Sequence, residues 1–197
     1  MVFSLLLAGR ALHGAENANE TDASARMLAT QVCSACHGAG GTSMLPTVPN
    51  LAAQPRQYLV AKIKFFRSKP TDGADDHADV LGLTLIDDAT ADALARYFAS
   101  QPPPTPVPAE QALVAAGNKI FVQGAPDHGV PACAACHGPN AHGFGLFPRL
   151  AGQHAEYVQR QLKLIQAKLR DAPVMHGIIK DMTPDEIKAV AAYVQSK

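Results

Sequence analysis

Cys33-Ser34-Ala35-Cys36-His37 and Cys133-Ala134-Ala135-Cys136-His137 are two copies of one pentapeptide pattern, set a hundred residues apart. In a C-x-x-C-H segment the two thiols reach the two vinyl groups of one porphyrin and form thioethers, while the adjacent imidazole swings under the ring to ligate iron. The pattern predicts two covalently bound haem c groups. Cys33, Cys36, Cys133 and Cys136 are then the thioether residues, and His37 and His137 the proximal iron ligands. A C-x-x-C pair alone also fits a thioredoxin-like redox pair or half of a zinc site. Two features argue against both: the motifs use all four cysteines of the chain, and each brings its own histidine followed by a glycine, Gly38 or Gly138.

Composition agrees. The chain has 197 residues, 47% of them hydrophobic, with no tryptophan. That length buries one good core or two small ones, and so few aromatic residues suffice if a porphyrin fills the centre of each. Basic and acidic side chains balance at 17 each and no Lys/Arg run occurs, which argues against a nucleic-acid partner.

The chain divides at Gln101-Pro102-Pro103-Pro104-Thr105-Pro106-Val107-Pro108. Such a proline run excludes helix and interior strand and favours an extended spacer. Residues 21–100 and 110–197 are then two domains of similar length, joined by a linker at 101–109. Residues 1–20 stand apart. Val2-Phe3-Ser4-Leu5-Leu6-Leu7-Ala8-Gly9 is a short apolar run, with small residues at Gly14-Ala15 and a polar stretch from Glu16 to Glu20. This reads as a secretory signal lacking its basic leader, or else as a disordered N-terminal tail. The run is far short of the roughly 20 apolar residues that span a bilayer, and no later segment approaches a transmembrane span. Haem c attachment requires an exported, reduced chain, so the periplasm is the expected location.

The halves repeat beyond the motif. Pro49-Asn50-Leu51-Ala52-Ala53-Gln54 followed by a helix from Tyr58 answers to Pro148-Arg149-Leu150-Ala151-Gly152-Gln153 followed by a helix from Tyr157. Each half closes with a helix. Thr183, Pro184 and Glu186 form a capping box ahead of an apolar stripe of Ile187, Val190, Ala191 and Val194. Asp87 caps the earlier copy, with Ala91, Leu94, Ala95 and Phe98 as its stripe. Entry helices are expected at about 22–32 and 110–123, with small Ala25 and Gly117 where helices cross closely. No segment alternates as a strand, so the fold class is all-α.

Two C-x-x-C-H-G units, each followed by P-x-L-A-x-Q, a tyrosine-led helix and a last helix ending in A-x-Y, resemble the diheme cytochrome c4 family. The cytochrome subunit of flavocytochrome c sulfide dehydrogenase is built similarly. The resemblance covers residues from about 22 to 197. It implies two tandem cytochrome c-type domains related by a pseudo-twofold axis, haems close enough for rapid exchange, and electron transfer rather than bond-making chemistry.

The resemblance also places the sixth iron ligand, a methionine about eight residues before the cap of the last helix. In the second half that residue is Met175, with Met182 as its competitor and core filling as the reading for Met182. The first half departs from the pattern, since no methionine lies between Leu45 and Pro173. Met27 lies on the entry helix before the motif, and Met44 in the loop just after it, which the resemblance puts on the proximal side. His77, inside the longer stretch Asp72-Gly73-Ala74-Asp75-Asp76-His77-Ala78-Asp79, is the expected distal ligand of the first haem. Arg149 is a candidate partner for a haem propionate. The acidic run is a solvated loop or a docking surface for a basic partner. His128, His142, His154 and His176 are expected to be solvated or local hydrogen bonders.

Two functions follow. One is an electron carrier, or the cytochrome subunit of a dehydrogenase, passing electrons between redox partner proteins such as a donor dehydrogenase or respiratory complex and a terminal oxidase. The other is a diheme enzyme of the thiosulfate dehydrogenase or peroxidase type with one catalytic haem.

Overall fold

A computed structural model describes residues 19–68 and 83–197. The first half begins with α1, a helical run over 19–37 that ends in the first C-x-x-C-H motif. Its middle turn, Ala29–Cys33, is π-helical, and Ser34–His37 returns to α-helix. Then come α2 (Arg56–Ser68) and α3 (Asp88–Ala99). The second half holds α4 (Gln111–Gln123), the short α5 (Ala134–His137) carrying the second motif, α6 (Ala155–Gln166), α7 (Pro173–Ile179) and α8 (Pro184–Gln195). Among the described residues β-structure is limited to two isolated bridges, Ala125 with Val130 and Phe144 with Phe147, so the fold is all-α. No described helix is long and apolar enough to cross a membrane.

The last helix of each half starts where its cap requires. Asp87 accepts the Thr90 N–H at 2.7 Å. Thr183 accepts the Glu186 N–H at 3.2 Å while Glu186 accepts the Thr183 N–H at 2.8 Å, which completes the capping box. Both apolar stripes are buried: Ala91, Leu94, Ala95 and Phe98 in one half, Ile187, Val190, Ala191 and Val194 in the other. Each half builds its own core. Ala25, Ala29, Leu59, Leu94 and Phe98 meet in the first, and Phe121, Val158, Leu162, Ile165, Ile187 and Val194 in the second.

The entry helices differ more than the repeat suggests. In the second half α4 stops at Gln123 because Gly124, at φ +80°, turns the chain out of the helix. A loop closed by the Ala125–Val130 bridge then leads to the motif. In the first half no glycine intervenes, and α1 runs past the expected end at residue 32 straight into Cys33-Ser34-Ala35-Cys36-His37. Thr30 and Ser34 donate their hydroxyls to the carbonyls four residues back, Arg26 at 2.8 Å and Thr30 at 2.6 Å, within and beside the widened π turn.

After each motif the chain makes one and the same turn. Leu51 and Ala52 donate their N–H groups to Gly41, and Leu150 and Ala151 donate theirs to Ala141. The next residue is left-handed in both copies, Ala53 at φ +55° and Gly152 at φ +75°. Its N–H reaches the end of the last helix, at Phe98 or Val194. That reversal aims the following glutamine, Gln54 or Gln153, at the opposite half.

The halves meet on these turns and on the tyrosine-led helices α2 and α6. Gln54 bonds Arg149, Gln153 bonds Asn50, His154 Nε2 lies 3.1 Å from the Ser43 carbonyl, and the Tyr157 N–H donates to Pro46 at 3.1 Å. Pairing of one patch with its own repeat is what a twofold relation produces. Tyr157 is partly buried there beside Tyr58 and Arg170, and desolvation pushes its phenol up to about 12. The proline run packs on the second half, with Val107 N–H donating to Gln195 at 3.1 Å.

Candidate haem centres

Each motif lies on one helical turn, which puts its two cysteines and its histidine at the same helix end. The four cysteines form no disulfide with one another. Burial raises the pKa of Cys33, and it pushes that of Cys133 up to about 11. A nucleophilic or redox-active pair is tuned the other way, toward thiolate. Among the described residues no three His, Cys, Asp or Glu side chains gather as a metal cage, so the two motifs do not combine into a zinc site.

The histidines are fixed by the turn that follows. His37 Nδ1 is 2.9 Å from the Pro49 carbonyl, and His137 Nδ1 is 3.0 Å from the Pro148 carbonyl. A carbonyl can only accept, so Nδ1 carries the proton and Nε2 keeps its lone pair for iron. Such a hydrogen bond fixes the ring orientation of a metal-ligating histidine and raises its basicity. Burial lowers the pKa of both imidazoles, with the proline carbonyls opposing it. A neutral, oriented imidazole beside two thiols fits a covalently bound haem c, whose iron supplies the one-electron redox chemistry.

Residues 114–197 match the family described as cytochrome c. Cytochrome c4 of Thiocapsa roseopersicina is 38% identical over 174 residues, 85% of this chain and 88% of that protein. This chain belongs to the diheme cytochrome c4 family. The structure of reduced recombinant cytochrome c4 from Pseudomonas stutzeri matches it with a TM-score of 0.79 at 32% identity, covering 91% of this chain and 97% of that one. A protein of Thiomonas intermedia named thiosulfate dehydrogenase electron acceptor is 36% identical over 84% of this chain and 78% of its own length. Cytochrome c4 relatives are electron-transfer proteins. The chain is therefore a haem c-binding electron-transfer protein, and the diheme-enzyme reading falls away.

Other predicted residues take varied places in this cytochrome c4 fold. Met175 sits on α7, partly buried against the second core. Met182 is 6% exposed, and its carbonyl accepts from Gln166 Nε2 at 2.8 Å. Met27 is on α1, and Met44 is 88% exposed. His77 and the acidic residues Asp72, Asp75, Asp76 and Asp79 lie outside the described residues, as does most of 1–20. Arg149 is half-buried, and its Nε donates to the Ala151 carbonyl at 3.0 Å. Three of the four remaining histidines do more than face solvent. His128 Nδ1 meets Glu186 at 2.9 Å, His176 Nδ1 meets the Ile165 carbonyl at 2.9 Å, and His154 crosses between the halves.

The residues that sequence reading passed over are Gln54 and Gln153, 6% and 5% exposed. Their signal was available, because P-x-L-A-x-Q keeps its glutamine in both copies.

Proposed function

We propose that this chain is a periplasmic carrier of single electrons that holds two haem c groups, one in each of the domains 21–100 and 110–197 on either side of the linker 101–109. The observation that carries the reading is the repeated arrangement at the two motifs: cysteine pair, histidine, and a proline carbonyl holding Nδ1. Cys33 and Cys36 anchor the first haem and Cys133 and Cys136 the second, with His37 and His137 on the proximal side. Met175 is the distal ligand of the second haem. The burial of Met182 within the second core favours this, since Met175 is only partly buried against it. His77 is the distal ligand of the first haem.

A thioether favours reduced iron relative to a second imidazole, so the second haem has the higher potential. Electrons enter at the first haem and leave from the second. Arg149 has no described partner for its terminal guanidinium nitrogens, which supports a role on a propionate. The donor is a dehydrogenase or respiratory complex and the acceptor a protein such as a terminal oxidase. The Thiomonas intermedia relative makes a thiosulfate dehydrogenase one donor to try. Residues 1–20 serve as the export signal.

A redox titration that resolves the two haems tests this reading. Two one-electron steps are expected, the higher belonging to the second haem. In His77→Ala the low-spin spectrum of the first haem should change; an unchanged spectrum would remove His77 from the iron.

A further inference from the structure

The peptide group between Pro49 and Asn50 is hydrogen-bonded at both poles. Its carbonyl accepts from His37 Nδ1 at 2.9 Å, and its N–H donates to Gln153 Oε1, from the other half, at 2.9 Å. The peptide group between Pro148 and Arg149 repeats this. Its carbonyl is 3.0 Å from His137 Nδ1, and its N–H donates to Gln54 Oε1 at 3.0 Å. Each glutamine then returns a bond through Nε2, Gln153 to the Asn50 carbonyl at 3.1 Å and Gln54 to the Arg149 carbonyl at 2.8 Å. Both side chains are buried.

A glutamine needed only to hold two domains together could bond any backbone group at the contact. His154 does so, at the Ser43 carbonyl. Gln54 and Gln153 instead each take the one peptide whose oxygen holds a proximal histidine. Hydrogen bonds in a chain polarise one another, so an engaged N–H makes the same amide's carbonyl a stronger acceptor. A stronger acceptor at Nδ1 gives the imidazole more anionic character and favours oxidised iron, since outer-shell hydrogen bonds tune a metal through its ligand.

We propose that Gln54 and Gln153 are positioning residues acting in trans, each setting the proximal histidine of the opposite half through one peptide group. Gln153 acts on His37 and Gln54 on His137. The proposal rests on the two-haem reading. It makes the potential of each haem depend on closure of the interface with the other domain.

The test uses the holoprotein with Gln153→Met and Gln54→Met, which keep the side chain's length and remove its hydrogen bonding, and His154→Ala as a control for the interface. Midpoint potentials are measured electrochemically and assigned to each haem by NMR of the haem methyl groups. Gln153→Met should raise the potential of the first haem and leave the second in place. Gln54→Met should do the reverse, and His154→Ala should move neither. Equal shifts of both haems, a shift confined to the substituted domain, or no shift would overturn the proposal. Should the Met variants not accumulate, Gln153→Asn and Gln54→Asn, too short to reach both peptide groups, are read by the same crossed pattern. Unsubstituted protein lacking two covalent haems would instead sink the underlying reading, which separates the two failures.

Discussion

Gly117 on α4 lies against Ala189 on α8 so closely that a β-carbon at Gly117 would stand 2.1 Å from the Ala189 carbonyl oxygen and 2.7 Å from Tyr193 Cβ. Ordinarily, replacing a mid-helix glycine by alanine stabilises a helix by about 1 kcal/mol. Here the contact is with backbone, so the helices must move apart. Gly117→Ala should destabilise the second half by about 1–3 kcal/mol, the usual range for overpacking. Chemical denaturation checks it, and a stabilised variant would show that the crossing is looser than described.

The capping box of α8 gives a prediction with a pH dependence. Burial tends to raise the Glu186 pKa, but the Thr183 N–H, the His128 imidazole and the Thr183 hydroxyl outweigh it and hold the carboxyl below its ordinary value. A carboxylate depressed in the folded state stabilises fully above its unfolded pKa, about 4.3, and loses that contribution as pH falls through the lower folded value. Unfolding curves between about pH 6 and pH 3 should therefore fall more steeply for the parent than for Glu186→Gln. Thr183→Ala should lose about 1 kcal/mol at neutral pH. Parallel pH profiles for the parent and Glu186→Gln would contradict the box.

Met175 and Met182 should separate by the kind of damage each substitution does. Met175→Ala should leave one haem open to carbon monoxide while the other keeps its spectrum, because only the sixth ligand of that iron is lost. Met182→Ala should leave both spectra unchanged and lower stability by about 2–5 kcal/mol, the range for truncating a buried side chain. Carbon monoxide binding after the second substitution and not the first would exchange the assignments.

Much of this architecture is legible in the sequence because it is written in local chemistry. Asp87 and Thr183 announce helix starts through the hydrogen bonds that their side chains make three residues on, and the apolar stripes behind them can face only a core. Gly117 signals a close crossing for the same reason, since nothing larger fits. The continuous helix into Cys33 is harder to read. Whether a helix stops before the motif depends on a single left-handed position, supplied by Gly124 in one half and absent from the other. The repeated glutamine is visible in the sequence, but what Gln54 and Gln153 bond is hidden for a different reason. Their partners lie about a hundred residues away, and only the folded turn at Ala53 and Gly152 points them there.

The central claim is that each C-x-x-C-H motif holds its own haem, and intact-mass measurement of the denatured holoprotein tests it most directly. The parent chain should carry the added mass of two haems. Cys33→Ser with Cys36→Ser should carry one, and Cys133→Ser with Cys136→Ser the other. A parent with a single covalent haem, or a motif whose loss leaves the count unchanged, would contradict it.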